Sequence, residues 1–246
     1  MSCGKSQFVR LVFDETPSED CHTMEFRLVY SGRLLGASRG DTRATLKHQI
    51  RREFHPQLRR LWQTNSSLQS LIKYYGLHVY DEQNPRKWTL ENLGRPPDVD
   101  KDEDFYVDFG AEALTKNWAR CGYKFWPLVT EDFPLRCALD ILFLRPEEPG
   151  MLVRSGDLDA RVKTIFDALR MPNNLAEAGG IGPQADEDPF YCLLQDDKMI
   201  SEIKVTTDHL LLLPHEREIQ ANDAFLIVHV KLWPMKVSRW DWAFSH

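Results

Sequence analysis

Residues 156–170 read GDLDARVKTIFDALR, and this stretch carries the strongest indication of the fold. Apolar residues recur in this stretch at spacings of three and four, which is typical of an amphipathic helix with one buried face. We predict a helix over residues 158–170, with Asp157 as a candidate N-cap. The predicted buried stripe consists of Leu158, Val162, Ile165, Phe166 and Leu169. The polar stripe, with members four residues apart, consists of Asp159, Lys163 and Asp167.

A second acidic pair, Asp196 and Asp197, stands between two apolar stretches that are predicted to be strands. By itself this pair is typical of a turn, and Asp159 with Lys163 is typical of an ordinary helix ion pair. Together, the two blocks supply the carboxylate oxygens that Mg²⁺ and Mn²⁺ prefer as ligands. A cation stabilises neighbouring like charges, and a nearby lysine can stabilise charge on a phosphate. The two blocks therefore predict a divalent-metal site suited to phosphodiester hydrolysis.

The same two blocks carry a resemblance to a known family. The stretch GDLDARVKTIFDAL at 156–169, followed by QDDKMISEI at 195–203, resembles the RusA-type Holliday junction resolvases. The pattern of that family is Asp-x-Asp-Asn, a Lys four residues after the second Asp, Asp-Ala-Leu, and then an Asp-Asp pair before a strand. The resemblance covers residues 138–170 and 191–206, which is a minority of the chain.

The resemblance implies a magnesium-dependent, structure-selective DNA endonuclease that hydrolyses phosphodiester bonds in branched DNA, as Holliday junction resolvases do. It implies Mg²⁺ or Mn²⁺ as the cofactor, and a homodimer in which two sites cut two strands. The implied metal ligands are Asp157, Asp159 and Asp197, with Asp196 as a further candidate. Lys163 matches the essential lysine of the family, so the implied catalytic set is Lys163 with the first three carboxylates.

One position departs from the family pattern. Ala160 stands where the family has Asn, so a side-chain amide beside the predicted site is missing. This departure leaves open a second interpretation, a non-catalytic or weakened module that keeps the nuclease fold and binds DNA or a partner protein. A metal-dependent hydrolase acting on nucleotides or RNA shares the same chemistry and is a third possibility.

A basic segment precedes the acidic blocks. Residues 33–60 contain eight Lys or Arg against two acids, in a chain whose net charge is −6. Most of this segment is predicted to be one helix, residues 42–63, kinked or split at Pro56. Its cations either contact DNA phosphates or form a solvated helix face. The candidate nucleic-acid-binding residues are Arg39, Arg43, Lys47, Arg51, Arg52 and Arg59.

Three other polar residues need an interpretation. His48 and His55 lie seven residues apart on the predicted helix and lack a third metal ligand, so we expect them at the surface or against phosphate. Asp140 interrupts an apolar strand. It is either an inward group near the site or an outward strand residue.

The remaining pattern predicts an α+β fold: a mixed, mainly antiparallel sheet with helices packed on one face. We predict strands at 25–30, 191–194, 200–206 and 225–232, and a hairpin of 125–129 with 135–144. A single domain, RusA-like by the resemblance, is expected over 1–246. Residues 1–23 form a possible loose leader, and residues 81–104 and 171–190 are expected to be surface excursions from this domain.

Composition limits the class of protein. Hydrophobic residues make up 42%, which is enough for a core, whereas the acidic balance disfavours general coating of nucleic acid. The five cysteines show no zinc spacing. Apolar runs are too short to span a bilayer. We therefore expect a cytoplasmic protein that does not enter a membrane.

Overall fold

The computed structural model describes part of the chain. The described residues are 23–35, 41–69, 71–72, 115–116, 118–131, 135–146, 157–211, 220 and 222–234. Within these ranges, only the backbone is described for Asp41, Thr42, Asp157 and Pro234. Residues 1–22 of the predicted leader, Arg39 and the predicted excursion 81–104 lie outside the described residues.

The described elements are a mixture of strands and helices without a repeating unit. In chain order they are β1 (Met24–Arg33), α1 (Asp41–Thr64), β2 (Ala119–Arg120), β3 (Tyr123–Val129), β4 (Leu135–Arg145), α2 (Asp157–Leu169), β5 (Phe190–Leu194), a 3-10 turn (Asp197–Met199), β6 (Ile200–His209) and β7 (Asp223–Pro234). The α+β class predicted from the sequence is confirmed.

Four strands form the main sheet, in the order β1-β7-β4-β6. β7 is antiparallel to both β1 and β4, whereas β4 and β6 are parallel, so the sheet is mainly antiparallel. Along β7, Leu226, Val228 and Val230 are buried while the residues between them are half-buried. This two-residue period is the alternation that the sequence showed, and it directs one face of the sheet towards the helices.

Both long helices pack their apolar stripes into the core on this sheet. On α1, Ile50, Phe54 and Leu58 are buried, and on α2 Ile165 and Leu169 are buried in the same hydrophobic cluster. Proline inside α1 removes one main-chain hydrogen bond, but the helix is not split there. The stripe continues on both sides of the proline, and tertiary packing of such a stripe supplies most of the stability of a helix.

The second sheet corrects the predicted hairpin. The segments 125–129 and 135–144 both form strands, β3 and β4, but they lie in different sheets. β3 pairs with β2 in antiparallel orientation and with β5 in parallel orientation. β3 is buried at six of its seven residues and β5 at all five. Such continuously apolar strands suit parallel pairing inside a protein better than a half-exposed hairpin, which explains the different partner.

The segment between α2 and β5, expected to be a surface excursion, is exposed at most of its residues and is attached to the rest of the protein at a few buried ones. Met171 and Ala178 are buried in a small second core with Phe190. Gly179 has a φ of +72°, and a Cβ added there would lie 3.7 Å from the Cβ of His48 on α1. A separation of 3.7 Å is an ordinary van der Waals contact, so it is the positive φ and not a lack of space that favours glycine here.

Candidate functional site

The predicted metal ligands begin at the first turn of α2. The helix starts at Asp157, one residue before the predicted start, so Asp157 is the first helical residue and not the N-cap. Its side chain lies outside the described atoms. Asp159 is exposed and makes no hydrogen bond or ion pair in the part of the chain that the structure describes. Its carboxylate is therefore open to solvent and to a ligand.

Lys163 joins the two acidic blocks. Its ammonium group forms an ion pair with Asp197, at the start of the 3-10 turn, and another with Asp167 at 3.2 Å. The Lys163 side chain is 52% exposed, and the Asp197 side chain is 29% exposed. The hydrogen bond with Asp197 is the main cause that raises the pKa of Lys163 above its usual value. The blocks that are separate in the sequence thus meet at one lysine.

Asp196 has a local structural role. Its side chain accepts a hydrogen bond from the main-chain N–H of Lys198 at 3.0 Å and so caps the 3-10 turn. This is the turn that the sequence left open as an alternative to a metal ligand. The cap aligns the turn, so that the next residue, Asp197, meets Lys163.

Asp167 is the buried member of the site, with a side chain only 7% exposed. Lys47 on α1 binds its carboxylate at 2.5 Å, and Arg170 lies 3.5 Å from it. Burial by itself would raise the pKa of Asp167, but the hydrogen bonds and charges of Lys47 and Lys163 outweigh it and lower the pKa below its usual range. We call Lys163, Asp167 and Asp197 the Lys163 cluster.

The donor chemistry of the site fits a hard cation. Asp159 and Asp197 offer carboxylate oxygens with access to solvent, and Mg²⁺ is often held by one or two carboxylates with water completing its shell. Among the residues whose side chains are described, no three His, Cys, Asp or Glu form a metal-binding group. The side chain of Asp157 is outside that set.

The six basic candidates separate into different roles. Arg39 lies outside the described residues. Arg59 is exposed, and Arg43 donates to the main-chain oxygen of Ala160 at 3.3 Å. Lys47 is held by the Lys163 cluster. Arg52 forms a two-point ion pair with the buried Glu187, at 2.6 and 3.1 Å.

Arg51 is buried, which removes it from the candidates for phosphate contact. Its guanidinium group donates to the main-chain oxygens of Asp167 at 2.7 Å, Arg170 at 3.0 Å and Glu177 at 3.4 Å. A buried guanidinium must be satisfied by acceptors, and these carbonyls supply them. Arg51 therefore ties α1 to the C-terminal end of α2 and to the segment that follows it.

The two histidines of α1 are also buried, so the prediction of a surface or phosphate-contacting position is wrong. His55 accepts from the main-chain N–H of Tyr191 at 2.9 Å through Nδ1, and its Nε2 lies 3.1 Å from the main-chain oxygen of Asp186. These partners assign the neutral Nε2–H tautomer to His55. Burial lowers the pKa of His55 below its usual value.

His48 is held in the same way. Its Nδ1 accepts from Arg51 at 3.2 Å, and its Nε2 lies 3.3 Å from the hydroxyl of Tyr123. That hydroxyl donates to the main-chain oxygen of Ile181 at 2.9 Å, so it is free to accept from Nε2–H. Burial, with the charges of Arg51 and Arg52, lowers the pKa of His48 to about 4.

We call the buried and half-buried polar residues of this region the interior polar cluster: His48, Arg51, Arg52, His55 and Glu187.

Two contacts were not predicted from the sequence. Glu187 is buried between Arg52 and the N–H of Gln184, which it binds at 2.8 Å. Nothing in the local sequence around Glu187 indicates burial, because its partners come from a distant helix. Asp140 pairs with Lys204 on the neighbouring strand at 2.9 Å, which agrees with the outward interpretation of this residue.

Two observations complete the description of the chain. No helix in its described part is both long enough and apolar enough to cross a membrane. No protein-family model, curated protein or solved structure matches the sequence or the fold.

Proposed function

We propose that the protein is a magnesium-dependent, structure-selective DNA endonuclease that hydrolyses phosphodiester bonds, similar in activity to a Holliday junction resolvase. The observation that carries the proposal is the position of Lys163, which bridges the helix that bears Asp159 and the turn that bears Asp197. The carboxylates of Asp159 and Asp197 supply the negative charge that attracts a metal ion, and Lys163 supplies the positive charge that binds a phosphate.

The metal ion proposed for this site is Mg²⁺ or Mn²⁺, and Asp157, Asp159 and Asp197 are the side chains that would hold it. When bound, such an ion activates water and stabilises the leaving oxygen of a phosphodiester. The capping bond of Asp196 leaves this residue as support for the turn, and we assign it no direct bond to the ion.

The chain's own cations have two proposed tasks. Lys163 orients the scissile phosphate and stabilises the charge that develops on it. Arg59 and Arg43, on exposed or half-exposed positions of α1, contact the DNA backbone away from the cut. A homodimer would place two such sites on the two strands of a branched DNA. We expect a cytoplasmic location, in keeping with the free thiols of the described cysteines.

A second candidate function rests on Ala160. In the resolvase family that the sequence resembles, an Asn stands at this position, whereas Ala160 offers only its main-chain oxygen, which accepts from Arg43 and Thr164. A chain with this change can keep the fold and bind DNA or a protein without cleaving DNA. Cleavage of DNA distinguishes the endonuclease from the binding module. Binding of a divalent cation tests whether the metal site exists.

The first experiment measures cleavage. Four-way junctions, flaps and duplexes are incubated with the protein and Mg²⁺ or Mn²⁺, in parallel with the Ala160→Asn variant. We expect nicking of branched DNA that increases in Ala160→Asn and is lost in Lys163→Met. Intact branched DNA with both the natural chain and Ala160→Asn would exclude the endonuclease and favour the binding module.

The second experiment measures the metal directly by calorimetry with manganese chloride. We expect a site in the natural chain that disappears in Asp159→Ala. Asp208→Ala is the matched control, because Asp208 is an exposed carboxylate on β6 away from Lys163. An equal loss in both variants, or no binding at all, would contradict a metal site at Asp159.

A further inference from the structure

Lys163 contacts two carboxylates that differ in how many other groups hold their side chains in place. Asp167 is nearly buried, and Lys47 and Arg170 hold its side chain on other sides. Its main-chain oxygen also accepts from the buried Arg51. Asp167 therefore has a fixed position in the fold.

Asp197 is the freer of the two carboxylates. It opens a three-residue 3-10 turn that contains no buried residue, and its side chain is partly exposed to solvent. Lys163 is the only cation in contact with its carboxylate in the part of the chain that the structure describes. The same carboxylate is a proposed metal ligand.

A lysine ammonium and a divalent cation compete for one carboxylate, because two positive charges a few ångströms apart repel each other. We propose that Lys163 occupies the Asp197 carboxylate in the metal-free protein as an internal counter-ion, and that a divalent cation displaces it onto Asp167. This inference rests on the proposed function, since it requires Asp197 to bind the metal.

The arrangement has a direct consequence for catalysis. The displaced ammonium does not leave the site, because Asp167 already binds it at 3.2 Å. Loading of the metal would thus release Lys163 from Asp197 and leave it beside the bound ion, where the phosphate of a substrate carries negative charge. Asp167 is a positioning residue in this scheme: it acts only through Lys163.

The test uses the affinity of the full chain for manganese alone, measured by calorimetry, and needs no catalytic activity. Lys163→Met removes the competing cation at an exposed position, so the fold should be retained. We expect the affinity of this variant for Mn²⁺ to rise about five- to tenfold.

Lys198→Met is the matched control. Lys198 is adjacent to Asp197 in the chain, but its ammonium binds Glu131 at 2.6 Å. The same charge is removed near the same turn without freeing the Asp197 carboxylate. We expect its Mn²⁺ affinity to stay within about twofold of the natural chain. An equal gain in both variants, or no gain in Lys163→Met, would overturn the inference.

A double-mutant cycle tests the part played by Asp167. Asp167→Asn removes the second carboxylate that binds the Lys163 ammonium. Lys163 should then bind Asp197 more tightly, and the affinity for Mn²⁺ should fall. In the Lys163→Met background the same substitution should have at least about threefold less effect on Mn²⁺ affinity. Equal effects in both backgrounds would show that Asp167 acts on the metal only through its own charge, and would overturn its positioning role.

The outcomes separate this inference from the proposed function. Binding of Mn²⁺ that is lost in Asp197→Asn but unchanged in Lys163→Met leaves the metal site standing and removes the competition. Absence of binding in the natural chain and in Lys163→Met alike contradicts the metal site itself, and the inference with it. Binding of Mn²⁺ to the natural chain that becomes tighter in Lys163→Met supports both.

Discussion

The interior polar cluster and the Lys163 cluster use similar residue types for opposite purposes. In the interior polar cluster, Arg51 and the two histidines of α1 are buried, and most of their partners are main-chain groups. In the Lys163 cluster, Lys163 and Asp197 are accessible to solvent and bind each other. The first arrangement joins the segment 171–189 to α1. The second leaves charged groups where a ligand can reach them.

The difference shows which observation distinguishes a structural cation from a functional one. Arg51 and Arg59 lie on the same helix, and the charge pattern of the sequence places both among the candidates for DNA contact. Burial separates them: Arg51 is 2% exposed, whereas Arg59 is exposed. A charge that is buried and bonded contributes to stability, and removing it leaves its partners unsatisfied.

The largest effect on stability is expected from Arg51→Met. The change leaves one buried and two partly buried main-chain oxygens without this donor, so the free energy of unfolding should fall by about 3–4 kcal/mol. Urea denaturation measures it. Arg59→Met is the matched control on the same helix, and should change stability by less than about 0.5 kcal/mol. Equal effects of the two substitutions would remove the distinction between the clusters.

A smaller loss is expected from His55→Phe. The ring of His55 packs against Phe190 with a centroid distance of 4.6 Å, so phenylalanine preserves the shape. The N–H of Tyr191 and the oxygen of Asp186 lose their partner, which should cost about 2 kcal/mol. His209→Phe, at an exposed position of β6, provides the control. A thermal or urea midpoint that is unchanged in His55→Phe would contradict the assigned hydrogen bonds.

The interior polar cluster should also make stability depend on pH. The pKa of His48 is lowered from 6.5 to about 4 in the folded protein, so between these values the unfolded chain binds more protons. Stability should therefore be full above pH 6.5 and fall as the pH drops towards 4, by about 3 kcal/mol.

His48→Phe should flatten this slope, in urea denaturation repeated from pH 7 to pH 4. Around His48, Arg51 and Arg52 on α1 also lower its pKa, and Tyr123 faces it from β3. Asp167 acts in another window: its pKa is lowered below 3.8, so its contribution is present above that value and is lost at more acid pH. A slope that His48→Phe leaves intact would assign the dependence to other groups.

The smallest effect on stability is expected in the Lys163 cluster. Asp197→Asn breaks a half-exposed ion pair, and such pairs contribute about 0–1 kcal/mol. The free energy of unfolding should thus change by less than about 1 kcal/mol, while binding of Mn²⁺ is lost. A large loss of stability would place Asp197 with the structural residues and weaken the comparison.

The regular parts of the fold were predictable from the sequence because their signal is local. The periodicity of 158–170 and the alternation of 225–232 each identify an element, and β7 buries the predicted face. On α2 the predicted stripe is buried only at Ile165 and Leu169, and Asp167 of the predicted polar stripe is buried as well. Which strands pair with each other could not be predicted in this way. The hairpin of β3 with β4 was wrong because a turn between two strands does not determine which sheet each one joins.

The candidate site was predictable in part for the same reason. The spacing of Lys163 and Asp167 on one helix predicts their contact, and the contact is present at 3.2 Å. The link from Lys47 to Asp167, by contrast, joins two helices that are far apart in the chain. The burial of Arg51 could not be predicted either, since it depends on the carbonyls of a segment that has no periodicity of its own.

Asp167 makes contact in two directions, and this has a consequence for how the chain can change over evolution. Its carboxylate binds Lys163 on the same helix and Lys47 on α1. A lineage that lost cleavage would still need this helix position to keep α1 and α2 joined, so an aspartate there says little about activity. Asp159 makes no such structural contact with the described residues. Its retention or loss in related chains would therefore be the informative record of whether selection has maintained the chemistry.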